Sequence, residues 1–144
     1  MSHLEQNKQL AQRWFDLVSD GDIEGLVRLT APAWRLYGGP PGMVLTGHDG
    51  LRDLFRVHIG PIEQKWTIDD MIAEGDRVVV RATNTCTQDE FIGIPARGKR
   101  QVFTATFIFR IADGLIAQTW RNADDLGRLL QLGARITPGE PDLI

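Results

Sequence analysis

The chain of 144 residues is 42% hydrophobic and 24% charged, the composition of one globular domain large enough to bury a core. Sixteen basic and nineteen acidic residues leave a net charge of −3, and no basic block offers nucleic acid a footprint. Apolar runs such as Val78-Val79-Val80 are too short to span a bilayer, the polar start MSHLEQNKQ lacks the core of a signal peptide, and the lone Cys86 can neither pair internally nor build a zinc cluster. These features predict a cytoplasmic domain needing no membrane, nucleic acid, metal or cofactor.

From Leu4 to Val18, apolar residues recur at helical spacing through Leu10, Ala11, Trp14, Phe15 and Leu17. Ser19-Asp20-Gly21 ends that helix, and Asp22 can cap a second, short one reaching Leu29. Trp34 to Tyr37 reads as a short strand, and Gly38-Gly39-Pro40-Pro41-Gly42 as an irregular loop. A third helix is predicted from Thr46-Gly47-His48-Asp49 to about His58, with Leu51, Leu54, Phe55 and His58 on one face. Gly60-Pro61 stops it.

Beyond that point the pattern turns to strands. Lys65–Glu74 and Arg77–Glu90 flank a Glu74-Gly75-Asp76 turn, and GIPARGK (Gly93–Lys99) makes the next connection. Asp113-Gly114 then joins two strand-like runs, and Asp-Gly in that place is a strong hairpin signal because the turn needs positive φ. Phe103, Ala105, Phe107 and Phe109 alternate with Thr104, Thr106 and Ile108. Both sets contain apolar groups, which predicts a sheet covered on both faces and a partner subunit on the outer one. A short helix, Leu126–Leu132, closes a domain spanning 1–136, with 137–144 a loosely held tail. Helices first and a strand meander afterwards predict an α+β fold.

The segment from Met71 to Gly133 carries an EGD turn, a GIP-x-x-GK loop, an FRI-x-DG-x-I hairpin, and W-x-x-x-D followed by LG-x-L-x-QLG. In these features the chain resembles the SnoaL-like polyketide cyclases, or ester cyclases, of the nuclear-transport-factor-2-like (NTF2-like) superfamily. Weaker similarity reaches back through Gly47–Leu51 to the first helix. The resemblance implies a cone, the NTF2-like or cystatin-like α+β barrel. In it a strongly curved antiparallel sheet wraps around three helices of the N-terminal half, leaves an apolar pocket at the open end, and is followed by a short C-terminal helix. It also implies dimerisation through the sheet.

The resemblance further implies a cofactor-free reaction. An aspartate removes a proton from an activated carbon of a small apolar or aromatic, polyketide-like substrate, and the enolate closes a ring by intramolecular aldol attack. The matching residue is Asp124, four after Trp120. By residue type alone Asp124 or Asp125 is a favoured helix N-cap, so the resemblance leaves Asp125 as the cap. His58 is a candidate acid or hydrogen-bond donor because its spacing points it inward. No two histidines show ligand spacing with a carboxylate, which speaks against a metal site.

Trp14, Trp34, Tyr37, Phe55, Phe91, Phe107 and Trp120 are the aromatic candidates for a substrate-stacking wall. Gln88, Thr106 and Gln118 are the polar ones. Many relatives carry histidine where this chain has Gln88, and Glu-His where it has Gln118-Thr119. Arg97, Lys99 and Arg100 read as a solvated turn that offers a grip on a substrate carboxylate at the pocket mouth. Three alternatives remain open beside the cyclase: an epoxide-opening hydrolase or cyclase, an isomerase or hydroxylase on the same fold, and a non-catalytic ligand-binding module.

Overall fold

The computed structural model describes residues 2–39 and 43–139, and the backbone but not the side chain of His58. Helix α1, His3–Asp20, starts where the Ser2 hydroxyl accepts the Glu5 amide and ends at Gly21, whose φ of 71° suits the left-handed C-cap. Its buried face is Ala11, Trp14, Phe15, Leu17 and Val18. Helix α2, Ile23–Leu29, is capped by Asp22 through the Gly25 amide, as its sequence predicts.

Strand β1 (Thr30–Gly39) is longer than the predicted Trp34–Tyr37. It takes in Gly38 and Gly39 of the expected loop, while residues 40–42 lie outside the described residues. An unpredicted strand β2, Met43–Thr46, pairs back on β1 before helix α3, Gly47–Leu54. The helix then widens into a π-turn, Phe55–Ile59, which stops at Gly60. Strands β3 (Glu63–Glu74) and β4 (Arg77–Thr87) follow. A two-residue pair, β5 (Glu90–Phe91) and β6 (Ile94–Pro95), forms a small separate hairpin that leads into the GIPARGK segment. The long hairpin β7 (Gln101–Ala112) and β8 (Leu115–Ala123) turns at Asp113 and Gly114, with φ of 52° and 73°. Helix α4, Asp125–Gln131, closes the chain.

Six strands form one curved sheet in the order β2-β1-β8-β7-β4-β3, with α1 to α3 gathered in its concavity. The α+β class and the cone are those expected. The sheet is mixed rather than wholly antiparallel, because β1 runs parallel to β8. A parallel pair needs a long crossover, and everything from β2 to β7 supplies it.

Two bulges decide which side chains point inward. In β3, Asp69 is extra between the partners of Ala82 and Arg81, so Trp66 and Ile68 precede, and Met71 and Ala73 follow, on the concave face. In β8, Arg110 pairs with Gln118 and Ile111 with Ile116, which leaves Ala117 as the extra residue. Ile116 faces the core on one side of this bulge. On the other side the inward residues are Thr119 and Arg121, not Gln118 and Trp120. The core they join contains Val78, Val80, Ala82, Phe107 and Phe109 of the sheet, packed on Trp14 and Phe15 of α1. Phe15 sits edge-on to Phe107, Phe109 and Trp66, with centroids 5.1–5.8 Å apart.

Candidate functional site

The concavity is not filled to its open end. A cavity of about 590 Å3 remains, walled by Trp14 and Val18 of α1, Leu54 of α3, Trp66 of β3, and Phe103 and Phe107 of β7. Alternation along β7 fixes this wall, since Phe103 and Phe107 are buried while Val102, Thr104 and Thr106 are exposed. Val57 and Ile92, both about half exposed, line its outer part, together with the exposed Asp89 and Glu90. A volume of this size suits a small molecule of several rings.

One corner of this apolar chamber is polar, and residues from four strands, the connection after β4 and a helix build it. Gln64, Gln88, Arg121 and Arg128 line the cavity there. Asn84 and Gln101 stand just behind, both fully buried. Asn84 donates to Gln64 Oε1 at 2.9 Å, and Gln88 donates to Gln101 Oε1 at 2.6 Å. Gln101 is anchored in turn by donating to the Lys99 carbonyl at 2.6 Å. Arg128 donates through Nε to Gln101 Oε1 at 3.3 Å, and the Cys86 thiol lies against the same oxygen. Its guanidinium carbon lies 3.7 Å from the Phe91 ring centroid and 4.9 Å from that of Phe103. Burial pushes the Arg128 pKa down, against the opposing influence of Cys86 and Asp125. Burial also pushes the Cys86 thiol up, partly offset by Arg128. Asn84 Oδ1, Gln88 Oε1 and Arg128 Nη2 are buried with no hydrogen-bond partner.

Arg121 closes the adjoining side. It donates to both oxygens of Asp125, at 2.7 and 2.8 Å, and to the Gly38 carbonyl at 3.1 Å. Gly38, at φ 85°, lies so close to β8 that a Cβ there would fall on the Arg121 carbonyl oxygen.

The sequence-derived candidates divide sharply. Trp14, Gln88, Phe91 and Phe107 come together on the cavity wall. Trp34 faces inward but is wholly buried in the core, where its indole N–H donates to Thr119 Oγ1 at 3.1 Å. Phe55 packs half-buried against the core and is not part of the lining. Tyr37, Gln118 and Trp120 lie on the outer face, because Tyr37 pairs with Trp120 and the Ala117 bulge turns both away from the cavity. Tyr37 and Trp120 stack there at 5.5 Å, with Arg77 over the indole, while Gln118 accepts from Arg110. Thr106 shares the outer face and is exposed. Arg97, Lys99 and Arg100 are exposed and do not line this cavity.

Asp124 is corrected as well. It is exposed, does not line the cavity, and caps α4 by accepting the Gly127 amide at 2.8 Å. The neighbouring Asp125, expected to be the cap, is the residue turned toward Arg121. The side chain of His58 lies outside the described residues. Five residues of the corner escaped the sequence reading: Gln64, Asn84, Gln101, Arg121 and Arg128. Strand parity carried a usable signal for Asn84 and Gln101, which share the phase of Val80 and Phe103.

Among the described helices none is long and apolar enough to cross a membrane. A search of the curated proteins finds no match. Among solved structures, TsrD from Streptomyces laurentii is 33% identical, with 94% of this chain and all of that one covered and a TM-score of 0.80. IdmH from Streptomyces antibioticus, proposed to be a polyketide cyclase, is 27% identical over 90% of this chain and 99% of its own, with a TM-score of 0.75. An LEH-like epoxide hydrolase from M. tuberculosis shares the fold at 15% identity, covering 91% of this chain and 92% of that one with a TM-score of 0.74. The SnoaL-like domain model matches residues 11–119. With three quarters of its length inside that match and its cone intact, the chain belongs to the SnoaL-like domain family.

Proposed function

We propose that this protein is a cavity enzyme that performs proton-transfer chemistry on a small, largely apolar, polyketide-like molecule, through intramolecular aldol-type ring closure. The observation that carries this is the apolar chamber of about 590 Å3 with a single polar corner, a shape that holds a ring system and fixes its orientation. Membership of the SnoaL-like family and the cyclase assignment proposed for IdmH support the same chemistry. Proton removal is assigned to Asp89 or Glu90, the carboxylates that border the cavity. The carboxylate takes a proton from the carbon beside a carbonyl. The enolate carbon bonds to a second carbonyl carbon, and the resulting alkoxide recovers the proton, so product and substrate are isomers.

The test is incubation with a linear poly-β-ketone ester, followed by mass spectrometry. An isomeric cyclic product is expected, with its rate falling about a hundredfold or more in Asp89→Asn or Glu90→Gln. Addition of one water would move the protein to the epoxide- or ester-opening class. A binding module is the second reading, favoured by the exposure of both Asp89 and Glu90. It predicts that the ester is bound and recovered unchanged. We also propose that the outer face of the sheet is the contact of a homodimer. There Val44, Tyr37, Trp120, Ile108, Val79 and Ile72 form one continuous cross-strand row spanning all six strands.

A further inference from the structure

Helix α4 is built the wrong way round for a core helix. Leu126 and Leu130 point to solvent at 52% and 46% exposure, while Arg128 is only 3% exposed. An amphipathic helix ordinarily buries its leucines and leaves its arginine in water. Reversing that choice costs apolar burial and the desolvation of a guanidinium, and packing alone gives nothing in return.

Electrostatics sharpen the point. A buried charge is ordinarily paired. The nearby Asp125 has both oxygens held by Arg121, which leaves Arg121, Asp125 and Arg128 together with one uncompensated positive charge. Gln101 offers Arg128 only a neutral acceptor, and Nη2 has no partner. The remaining carboxylates on the lining, Asp89 and Glu90, are exposed, so water and salt screen them. Phe91 and Phe103 hold the guanidinium plane in place, which pre-organises its fork against the cavity.

We propose that the molecule taken up by the cavity carries a carboxylate, and that Arg128 binds it while the ring system lies against Trp14, Trp66 and Phe107. This rests on the cavity being a small-molecule site and names the group that orients the molecule in it. A planar carboxylate matches the guanidinium fork and supplies the missing negative charge. Water could supply hydrogen bonds in its place, but no charge.

The experiment compares 2-naphthoate with 2-naphthamide and naphthalene, molecules alike in ring and differing in charge, by quenching of tryptophan fluorescence. For the wild-type protein, 2-naphthoate is expected to bind about tenfold or more tightly than the amide. In Arg128→Met that preference is expected to vanish while the amide and naphthalene bind as before, and Arg128→Lys is expected to keep part of it. Equal binding of naphthoate and amide to the wild-type protein overturns the proposal whatever the variants do. So does a preference that survives intact in folded Arg128→Met. If none of the three binds, the small-molecule reading of the cavity falls, and the proposal with it. If the neutral molecules bind without a charge preference, only the proposal falls.

Discussion

At the scale of single residues, adjacent aspartates do different work because one is the N-cap of α4 and the other its first helical residue. Asp124 spends its carboxylate on the first turn of α4, and Asp125 spends its own on Arg121. Asparagine caps a helix about as well as aspartate, so Asp124→Asn should change stability by no more than a few tenths of a kcal/mol, and Asp124→Ala should cost about 1 kcal/mol. Urea unfolding measures both. Neither variant should weaken ligand binding in the cavity, and a loss of turnover in folded Asp124→Asn would restore that residue as the base. Sequence reading placed the pair correctly at the start of the last helix but gave the cap to Asp125, where Asp124 holds it. N-cap preference does not say which of two neighbouring aspartates precedes the first helical residue, and the choice rests on where β8 delivers the chain.

Among the elements, what could be read in advance was whatever local chemistry dictates. The caps at Ser2 and Asp22, the left-handed stop at Gly21 and the positive-φ turn at Asp113-Gly114 all announce themselves in a few residues. The phase of a strand after a bulge does not. Residues 115–123 contain no glycine after Gly114 and no proline to mark Ala117, so unbroken alternation puts Gln118 and Trp120 inside, and the bulge puts Thr119 and Arg121 there instead. Helix α4 misled in the same manner, because its leucines suggest a buried face that its arginine occupies. Deleting Ala117 should set Gln118 directly after Ile116, remove the bulge and leave Thr119 and Arg121 on the cavity side. The expected cost is about 1 to 3 kcal/mol, since the strand loses the bend of the bulge and the buried Ala117 while its inward residues keep their face. Thermal denaturation with near-ultraviolet circular dichroism would show it. A spectrum showing Trp120 moved away from Tyr37 would mean that Ala117 is not the extra residue.

For the molecule as a whole, the two faces of the sheet differ in character. The concave face holds the cavity. The convex face carries the apolar row from Val44 to Ile72, bordered by Arg35, Gln118, Arg110 and Arg77 on one side and by Thr106, Arg81 and Asp70 on the other. An apolar centre within a polar rim is the anatomy of a protein interface, and Ile72 at 61% exposure has little cover among the described residues. Sedimentation at micromolar concentration should therefore give a dimer, and Trp120→Glu combined with Ile72→Glu should give a monomer whose cavity still binds ligand. A wild-type monomer under those conditions would leave the row unexplained.

The inverted polarity of α4 also bears on how the protein breathes. The helix is tied down chiefly by polar contacts: the Arg121–Asp125 pair, the Gln131 amide bridging both the N–H and the C=O of Val102 at 2.9 and 2.7 Å, and the stacked Arg128. Such contacts hold less firmly than buried leucines, so this last segment should open in small excursions that leave the rest of the cone closed. Amide hydrogen exchange should run faster in 126–132 than in the middle of β7 and slow when the cavity is filled, because a molecule held by Arg128 fastens the helix from within. The C-terminal segment would then serve as a latch whose bolt is the ligand itself.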